Sequence, residues 1–160
     1  MKTIFKGLLF FFVMSLSQDV SAQAYQAAIG ARLGTSFTAS YKMFISERNA
    51  LEGIVGIDRT SVGNGIFRVS STSLVVGAFY QIHNDFNFEG QGFQWYYGFG
   101  GLVYLGDATG IVPSGIVGVE YTLPDNPVNF FIDVSPGLYL GNGGSDFDIS
   151  GFIGARYVLR

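Results

Sequence analysis

The residues of this chain that could do acid–base chemistry are few and widely spaced. His83 is the only histidine, and Glu120 with Asp133 could in principle form a carboxylate pair. Nucleophilic catalysis needs a nucleophile beside a base, and the Gly-x-Ser-x-Gly turn of many hydrolases does not occur. We therefore interpret His83 as a hydrogen-bonding group and the two carboxylates as members of structural ion pairs. The chain is predicted not to be an enzyme.

No cofactor and no metal ion is predicted either. The segment Gly98-Phe99-Gly100-Gly101 lies in the middle of a predicted strand, whereas a dinucleotide-binding glycine motif must be followed by a helix. The sequence has no cysteine and a single histidine, so the usual ligands of a transition metal are missing.

The composition points away from a water-soluble protein. Charged residues make up 13%, about half of the ~25% that is usual in soluble domains, while aromatic residues reach 16% and glycine occurs 23 times. After the leader described below, no stretch contains the ~20 consecutive apolar residues that a transmembrane helix requires. A membrane β-barrel combines these properties, because each strand exposes only alternate residues to lipid.

The first 22 residues have the three regions of a secretory signal peptide. Lys2 and Lys6 form the positive start, residues 8–16 form an apolar stretch too short for a membrane anchor, and Val20-Ser21-Ala22 is a small-residue cleavage site. We predict cleavage after Ala22, with Ala24 as the alternative. Without its leader the chain carries seven basic and eleven acidic residues, a balance that argues against a nucleic-acid partner.

The remaining residues, 23–160, divide into alternating apolar and polar runs separated by turn residues. We predict a single all-β domain, an eight-stranded antiparallel up-and-down transmembrane β-barrel. The strands are expected at about residues 25–34, 36–45, 50–59, 73–83, 93–105, 115–123, 129–140 and 147–159. The longer connections are expected at Thr60–Thr72, Asn84–Gly92 and Gly106–Ser114, and a turn at Gly63-Asn64-Gly65.

The charged residues of the predicted strands share one face of the sheet. In the last strand Asp148 and Arg156 have the same parity, opposite a face that contains Ile149 and Ile153. Because a basic side chain that faces lipid at the midplane costs ~2–4 kcal/mol, we expect the charges to lie inside the barrel. The predicted luminal charge network consists of Arg32, Lys42, Glu52, Asp58, Glu120, Asp133, Asp148 and Arg156.

Further expectations concern particular positions. Arg32 and Arg156 lie on the first and last strands, which must pair to close a barrel, so we expect them to share acidic partners such as Asp148, Glu52 or Asp133. Pro136 cannot donate to a ladder, so a bulge there or a strand end at about Ser135 is predicted. An interfacial aromatic girdle is predicted near the strand ends that face the periplasm. Its members are Trp95, Tyr97, Tyr157, Phe93, Tyr25 and Phe130.

The leader, the alternating strands and two segments together resemble a known family. The segments are Gln94-Trp95-Tyr96-Tyr97-Gly98-Phe99-Gly100-Gly101 and Gly151-Phe152-Ile153-Gly154-Ala155-Arg156-Tyr157-Val158. They are similar to the outer-membrane protein β-barrel domain family, the OmpA-like and OmpX-like small barrels, in the form found in Bacteroidetes. The resemblance implies a barrel in the outer membrane with both termini in the periplasm. It supplies no catalytic residues.

The predicted function is that of a small integral outer-membrane barrel with a structural or interaction role. Its interior should be filled by side chains, so that it is not a general porin. The predicted partners are outer-membrane lipid and, during biogenesis, periplasmic chaperones and the barrel-assembly machinery; the barrel should be a monomer. Two alternatives stay open: an enzyme that modifies outer-membrane lipid, and a secreted soluble barrel that binds an apolar ligand as lipocalins do.

Overall fold

The computed structural model of the chain describes residues 25–62, 69–86, 92–107, 109–141 and 144–159. The predicted signal peptide and the turn at Gly63-Asn64-Gly65 lie outside these residues. Eight strands follow one another: β1 Ala27–Gly34, β2 Phe37–Phe44, β3 Asn49–Val62, β4 Val69–Asp85, β5 Phe93–Gly106, β6 Gly110–Thr122, β7 Val128–Gly141 and β8 Gly144–Leu159. Within the described ranges no helix is long and apolar enough to cross a membrane.

Each strand pairs with its neighbour in sequence, and β1 pairs with β8, so the sheet is a closed antiparallel barrel. The prediction of an eight-stranded up-and-down barrel is therefore confirmed. Closure is in register, with Ala27 opposite Leu159 and Leu33 opposite Ile153. A closed sheet has no unpaired edge, which removes the usual site of strand-to-strand aggregation.

The alternation of residue types gives the barrel two different faces. The apolar residues of one parity point outward, and all eight strands contribute exposed examples, such as Ile29, Phe99 and Ile153. The opposite parity points inward and carries both polar and apolar side chains. One charge departs from the expected segregation: Arg59 is exposed on the outward parity of β3, near the end of a strand that runs on to Val62.

The two ends of the barrel are distinguished by the chain termini. We call the end where β1 begins and β8 ends the termini end, and the opposite end the far end. Several strands extend further toward the far end than predicted. In particular, residues 110–114 fall in the predicted loop Gly106–Ser114, but they form the start of β6, whose ladder with β5 is continuous.

The prediction of a bulge or a strand end at Pro136 is wrong. Strand β7 continues to Gly141, and its ladder with β8 is unbroken, with Pro136 opposite Ile149. An antiparallel strand alternates the direction of its N–H groups, so a proline disturbs the ladder on only one of its two sides. The missing N–H of Pro136 belongs to the side that faces β6.

Candidate functional site

The densest group of functional side chains lies inside the barrel, on six different strands. Six charged residues, each at most 2% exposed, form what we call the ion cluster: Arg32, Lys42, Glu52, Glu120, Asp133 and Arg156. They come from β1, β2, β3, β6, β7 and β8 in that order. Three basic and three acidic groups balance, which buried charges require because an unpaired ion is costly away from water.

Glu52 joins the two strands that close the barrel. Its Oε1 accepts hydrogen bonds from Arg32 Nη1 at 3.2 Å and from Arg156 Nη2 at 2.7 Å, and its Oε2 accepts one from Gln81 Nε2 at 2.6 Å. Arg32 and Arg156 therefore share Glu52 as an acidic partner. Charge-assisted bonds of this kind are the stronger ones in proteins, so Glu52 ties β1 and β8 to β3 and β4.

Glu120 is a second acceptor, closer to the termini end. Its Oε2 lies 2.5 Å from Lys42 Nζ and 3.5 Å from Arg156 Nη1. Its Oε1 accepts a hydrogen bond from the Tyr25 hydroxyl at 3.1 Å. Burial and the adjacent Glu120 carboxylate raise the pKa of Tyr25 well above its usual value of 10, so this hydroxyl keeps its proton and donates.

Asp133 is the third acceptor. Its Oδ1 accepts from Arg32 Nη2 at 2.8 Å, and its Oδ2 accepts from the Tyr96 hydroxyl at 2.8 Å. Tyr96 belongs to β5 and Asp133 to β7, so the tyrosine reaches across β6. It can do so because β6 has a glycine at this point: a Cβ at Gly118 would lie 2.6 Å from Tyr96 Cζ and 2.7 Å from Asp133 Cβ.

Aromatic rings cover the basic groups that the carboxylates leave open. The guanidinium of Arg156 lies 3.6 Å from the centre of the Phe131 ring, and that of Arg32 lies 4.6 Å from the centre of Phe152. Lys42 Nζ lies 4.6 Å from the centre of Tyr96. The negative face of a ring attracts a cation, and this attraction is stronger where water is excluded.

His83 is buried beside the ion cluster but is weakly attached to it. Its ring packs against Phe44 and Tyr96, at centroid distances of 4.8 and 5.1 Å, and its Nε2 lies 3.8 Å from Glu120 Oε1. Neither ring nitrogen has a hydrogen-bond partner among the described residues. The geometry does not present His83 as a base next to a nucleophile.

Two members of the predicted network lie apart from the ion cluster. Asp148 has the inward parity, but it is exposed near the start of β8 and accepts a hydrogen bond from Ser150 at 2.9 Å. Asp58 is half-buried toward the far end of β3. Of the three acids named as possible partners of the arginines, Glu52 and Asp133 contact them and Asp148 lies apart, because parity determines the face of a residue but not its depth along the barrel.

The predicted girdle residues divide into two groups. Trp95, Tyr97 and Tyr157 are exposed on the outer face near the termini end, and so are Phe93 and Phe130. Trp95 stacks on Tyr97 at a centroid distance of 5.5 Å. Tyr25 does not belong to this outer set: it is 4% exposed, packs against Phe44 and donates to Glu120 inside the barrel.

An apolar cluster fills the β3–β6 side of the interior, mostly farther from the termini end. We call it the apolar cluster; its members are Ile54, Val75, Phe79, Tyr96, Leu102, Val112 and Ile116. Between it and Arg32 lies a cavity of about 10 Å³, also lined by Thr38 and Ser135. Arg32 Nε, Thr38 Oγ1 and Ser135 Oγ have no hydrogen-bond partner among the described residues. The cavity has room for about one water molecule.

The neutral partners of the ion cluster were not identified from the sequence. Gln81, Tyr96, Asn129 and Ser40 each bind one of its members; Asn129 Oδ1, for example, accepts from Arg156 Nη1 at 3.2 Å. All four share the inward parity of their strands, and that parity is the signal that could have found them. An uncharged side chain is not conspicuous in a sequence, and the segregation of charge between the two faces does not single it out.

Comparisons with known proteins do not add a relative. No protein-family model matches the chain, no curated protein matches it, and no solved structure matches it. Among the described residues, no group of three or more histidine, cysteine, aspartate or glutamate side chains could hold a metal ion.

Proposed function

We propose that this chain is a small integral β-barrel of the bacterial outer membrane, with a structural or interaction role. The observation that carries the proposal is the contrast between the two faces of the wall. Large apolar side chains are exposed around the whole barrel, whereas six charged side chains are buried within it. A soluble barrel would have the reverse arrangement.

The outer face supports a lipid environment. Phe37, Phe99, Ile132, Phe147 and Ile153 are each 60% exposed or more, and they lie on four different strands. Soluble monomers rarely expose contiguous apolar patches of more than a few hundred Å². Arg59, the outward charge, lies toward the far end of β3, where a membrane-spanning strand would leave the apolar core and reach the polar headgroups.

Strand length and aromatic placement fit the same location. Strands β3 to β8 have 13 to 17 residues, more than the ~9–11 that a tilted strand needs, while β1 and β2 have 8 each. Trp95, Tyr97 and Tyr157 lie where an interfacial girdle is expected at the termini end. With the predicted signal peptide, this arrangement favours an exported protein with both termini in the periplasm.

The proposed interior is a plug and not a general pore. The ion cluster extends across the barrel from strand to strand, and the cavity beside it holds about one water molecule. Eight-stranded barrels are just wide enough for side chains to fill. In this account outer-membrane lipid surrounds a monomer, and periplasmic chaperones and the barrel-assembly machinery deliver it.

Cell fractionation combined with surface proteolysis tests the location. The full-length protein, expressed in a Gram-negative host, should pellet with the outer membrane and resist extraction with alkali. Protease added to intact cells should cut it only in the far-end loops. Recovery of the protein in the soluble periplasmic fraction would overturn the proposal and favour a soluble barrel.

A pair of arginine substitutions tests which face meets lipid. Ile153→Arg places a charge on the outer face of β8, and Ser150→Arg places one on its inner face toward the far end. We expect Ile153→Arg to cost ~2–4 kcal/mol and to reduce membrane insertion strongly, with a smaller effect for Ser150→Arg. Equal losses in the membrane fraction would show that the assignment of the faces is wrong.

A further inference from the structure

One seam of the barrel wall differs from the other seven. The ladders of the other neighbouring strands run without a gap between their first and last pairs. The β6–β7 ladder keeps its register throughout but lacks four pairs: Val112 with Tyr139, Pro113 with Leu138, Gly115 with Pro136, and Ile116 with Ser135. All of these residues lie within the described part of the chain.

Two prolines account for all four missing pairs. In the antiparallel pattern, a hydrogen-bonded pair exchanges two N–H···O bonds, and the pair beside it depends on one of the same bonds. Pro113 and Pro136 have no N–H, and at both positions an N–H group would point into the seam between β6 and β7. Each proline therefore removes its own pair and one neighbouring pair. Only the N–H groups of Gly115 and Leu138, which flank the retained pair Ser114 with Gly137, remain to hold this stretch.

On the outer face, side chains do little to replace the missing bonds. Gly115 has no side chain there, and a Cβ at this position would lie 3.8 Å from Cγ of Pro136. Cross-strand side-chain pairs normally stabilise a sheet, so the absence of one at Gly115 weakens the outer side of this stretch. On the inner face, the side chains of Val112 and Ser114 lie against Gly137, and the Ser114 hydroxyl donates to the Val112 carbonyl of its own strand at 3.1 Å.

The interrupted stretch also lies between an outer groove and the inner cavity. On the outer face, next to the gap, a groove of about 470 Å³ is lined by apolar side chains that include Trp95, Val117, Ile132 and Val134. On the inner face, Ser135 belongs to the interrupted stretch and lines the cavity beside Arg32.

We propose that the barrel wall opens locally between β6 and β7, around Gly115 and Pro136, and that this opening is a lateral route by which part of an apolar, lipid-like molecule, such as one acyl chain, enters the wall between the two strands. The proposal rests on the proposed membrane location, since only there does the outer groove face apolar molecules. Strands β6 and β7 stay in register on both sides of the gap, so the opening is a local separation that closes again in the same register.

Single cysteines test the route, because the sequence has no cysteine of its own. Ser135→Cys places a thiol on the inner face at the gap, and Ser40→Cys is the matched control, similarly buried on β2 but not among the residues that line the cavity beside Ser135. With the full-length protein in native membranes, N-ethylmaleimide should label the cysteine at 135 about tenfold faster than the one at 40, the factor expected from one or two missing hydrogen bonds. Equal labelling rates would overturn the proposal.

Replacing both prolines restores the missing N–H groups. This shows whether fast labelling at residue 135 is caused by the prolines or only by the location of that residue in the barrel. In the background Pro113→Val with Pro136→Val, the labelling rate at residue 135 should fall to that at residue 40. An unchanged rate would contradict the proposal. Amide exchange of the unmodified protein is the second measurement and does not depend on any variant. Gly115 and Leu138 should exchange before residues in the middle of β3 and β4, and exchange at the same rate would also contradict it.

These experiments test the opening of the seam separately from the membrane location of the protein. Both measurements compare positions within the same barrel under the same conditions, so they report on the seam whether the protein is extracted from a membrane or recovered in solution. Fractionation reports on location alone. If the seam opens but the protein proves to be soluble, the claim of a local separation between β6 and β7 stands. The claim that the entering molecule comes from a membrane is then overturned.

Discussion

The two parts of the barrel interior are stabilised in different ways. The ion cluster occupies the side formed by β6, β7, β8, β1, β2 and β3, where each acidic group meets at least two donors. The apolar cluster occupies the side formed by β3 to β6 and is held by packing alone, except for the Tyr96 hydroxyl. Tyr96 belongs to both, since its ring packs with the apolar residues and its hydroxyl binds Asp133.

The difference shows how a membrane barrel could obtain its stability. If lipid surrounds the wall, the outer face gains little from burial against other protein groups, and the interior must hold the strands together. The apolar side can lose volume gradually, but the ion cluster depends on complete pairing, because a half-satisfied buried network is worse than an apolar one.

The largest loss is expected for Glu52→Gln. The side chain keeps its shape, but Arg32 and Arg156 lose the charge that they share, and the ion cluster acquires one uncompensated positive charge. The free energy of unfolding, measured from the urea midpoint in detergent micelles, should fall by about 3–5 kcal/mol. Asp148→Asn, an exposed acid outside the ion cluster, serves as the control and should change it by less than ~0.5 kcal/mol.

A smaller loss is expected for Phe79→Ala in the apolar cluster. Removal of this buried ring should cost about 3 kcal/mol, the low end of the usual range, because the cavity that Phe79 lines gives its neighbours room to relax. Phe79→Leu, which keeps most of the volume, should lose only about 1 kcal/mol. If Phe79→Leu were as damaging as Glu52→Gln, the contrast between the two clusters would disappear.

A double substitution measures the coupling within the ion cluster. Arg156→Leu alone should lower the free energy of unfolding without changing localisation. Combined with Glu52→Gln, it should cost about 1–3 kcal/mol less than the sum of the single losses, because the two residues share a bond of 2.7 Å. Arg156→Leu combined with Phe79→Ala should be additive within ~0.5 kcal/mol. Additivity in both pairs would count against a network.

The smallest effect is expected for His83→Phe. The ring packs between Phe44 and Tyr96, and no described residue offers its nitrogens a hydrogen bond, so an apolar ring of similar shape should fit. We expect a change of about 0–1 kcal/mol toward greater stability, from the polar atoms that no longer need partners. A loss above about 2 kcal/mol would mean that His83 takes part in the ion cluster.

Much of the fold follows from the sequence because a barrel strand repeats every two residues. The alternation around Leu51, Val55 and Ile57 predicts both the strand and its outer face, and the turn residues separate one strand from the next. The period of two also predicts which residues face inward. It does not report where a strand stops, which is why the predicted loop Gly106–Ser114 includes residues that belong to β6.

The sequence does not show how deep each inward residue lies along the barrel axis or how neighbouring strands are staggered. The depth of Asp148 and the choice of Glu52 as the shared partner depend on the stagger between strands, which no local pattern encodes. The effect of Pro136 depends on Pro113, 23 residues earlier, and on which side of the strand each missing N–H lies. Only the register shows that both face the same seam.

The most direct test of the central claim is whether the protein needs a lipid-like environment to fold. The chain should remain folded in detergent or in vesicles, and it should migrate faster on a gel before heating than after heating, as compact membrane barrels do. Diluted from urea into buffer without detergent, it should aggregate. A folded, monomeric and fully soluble protein in plain buffer would contradict the account, because the exposed apolar wall would then have no membrane to cover it.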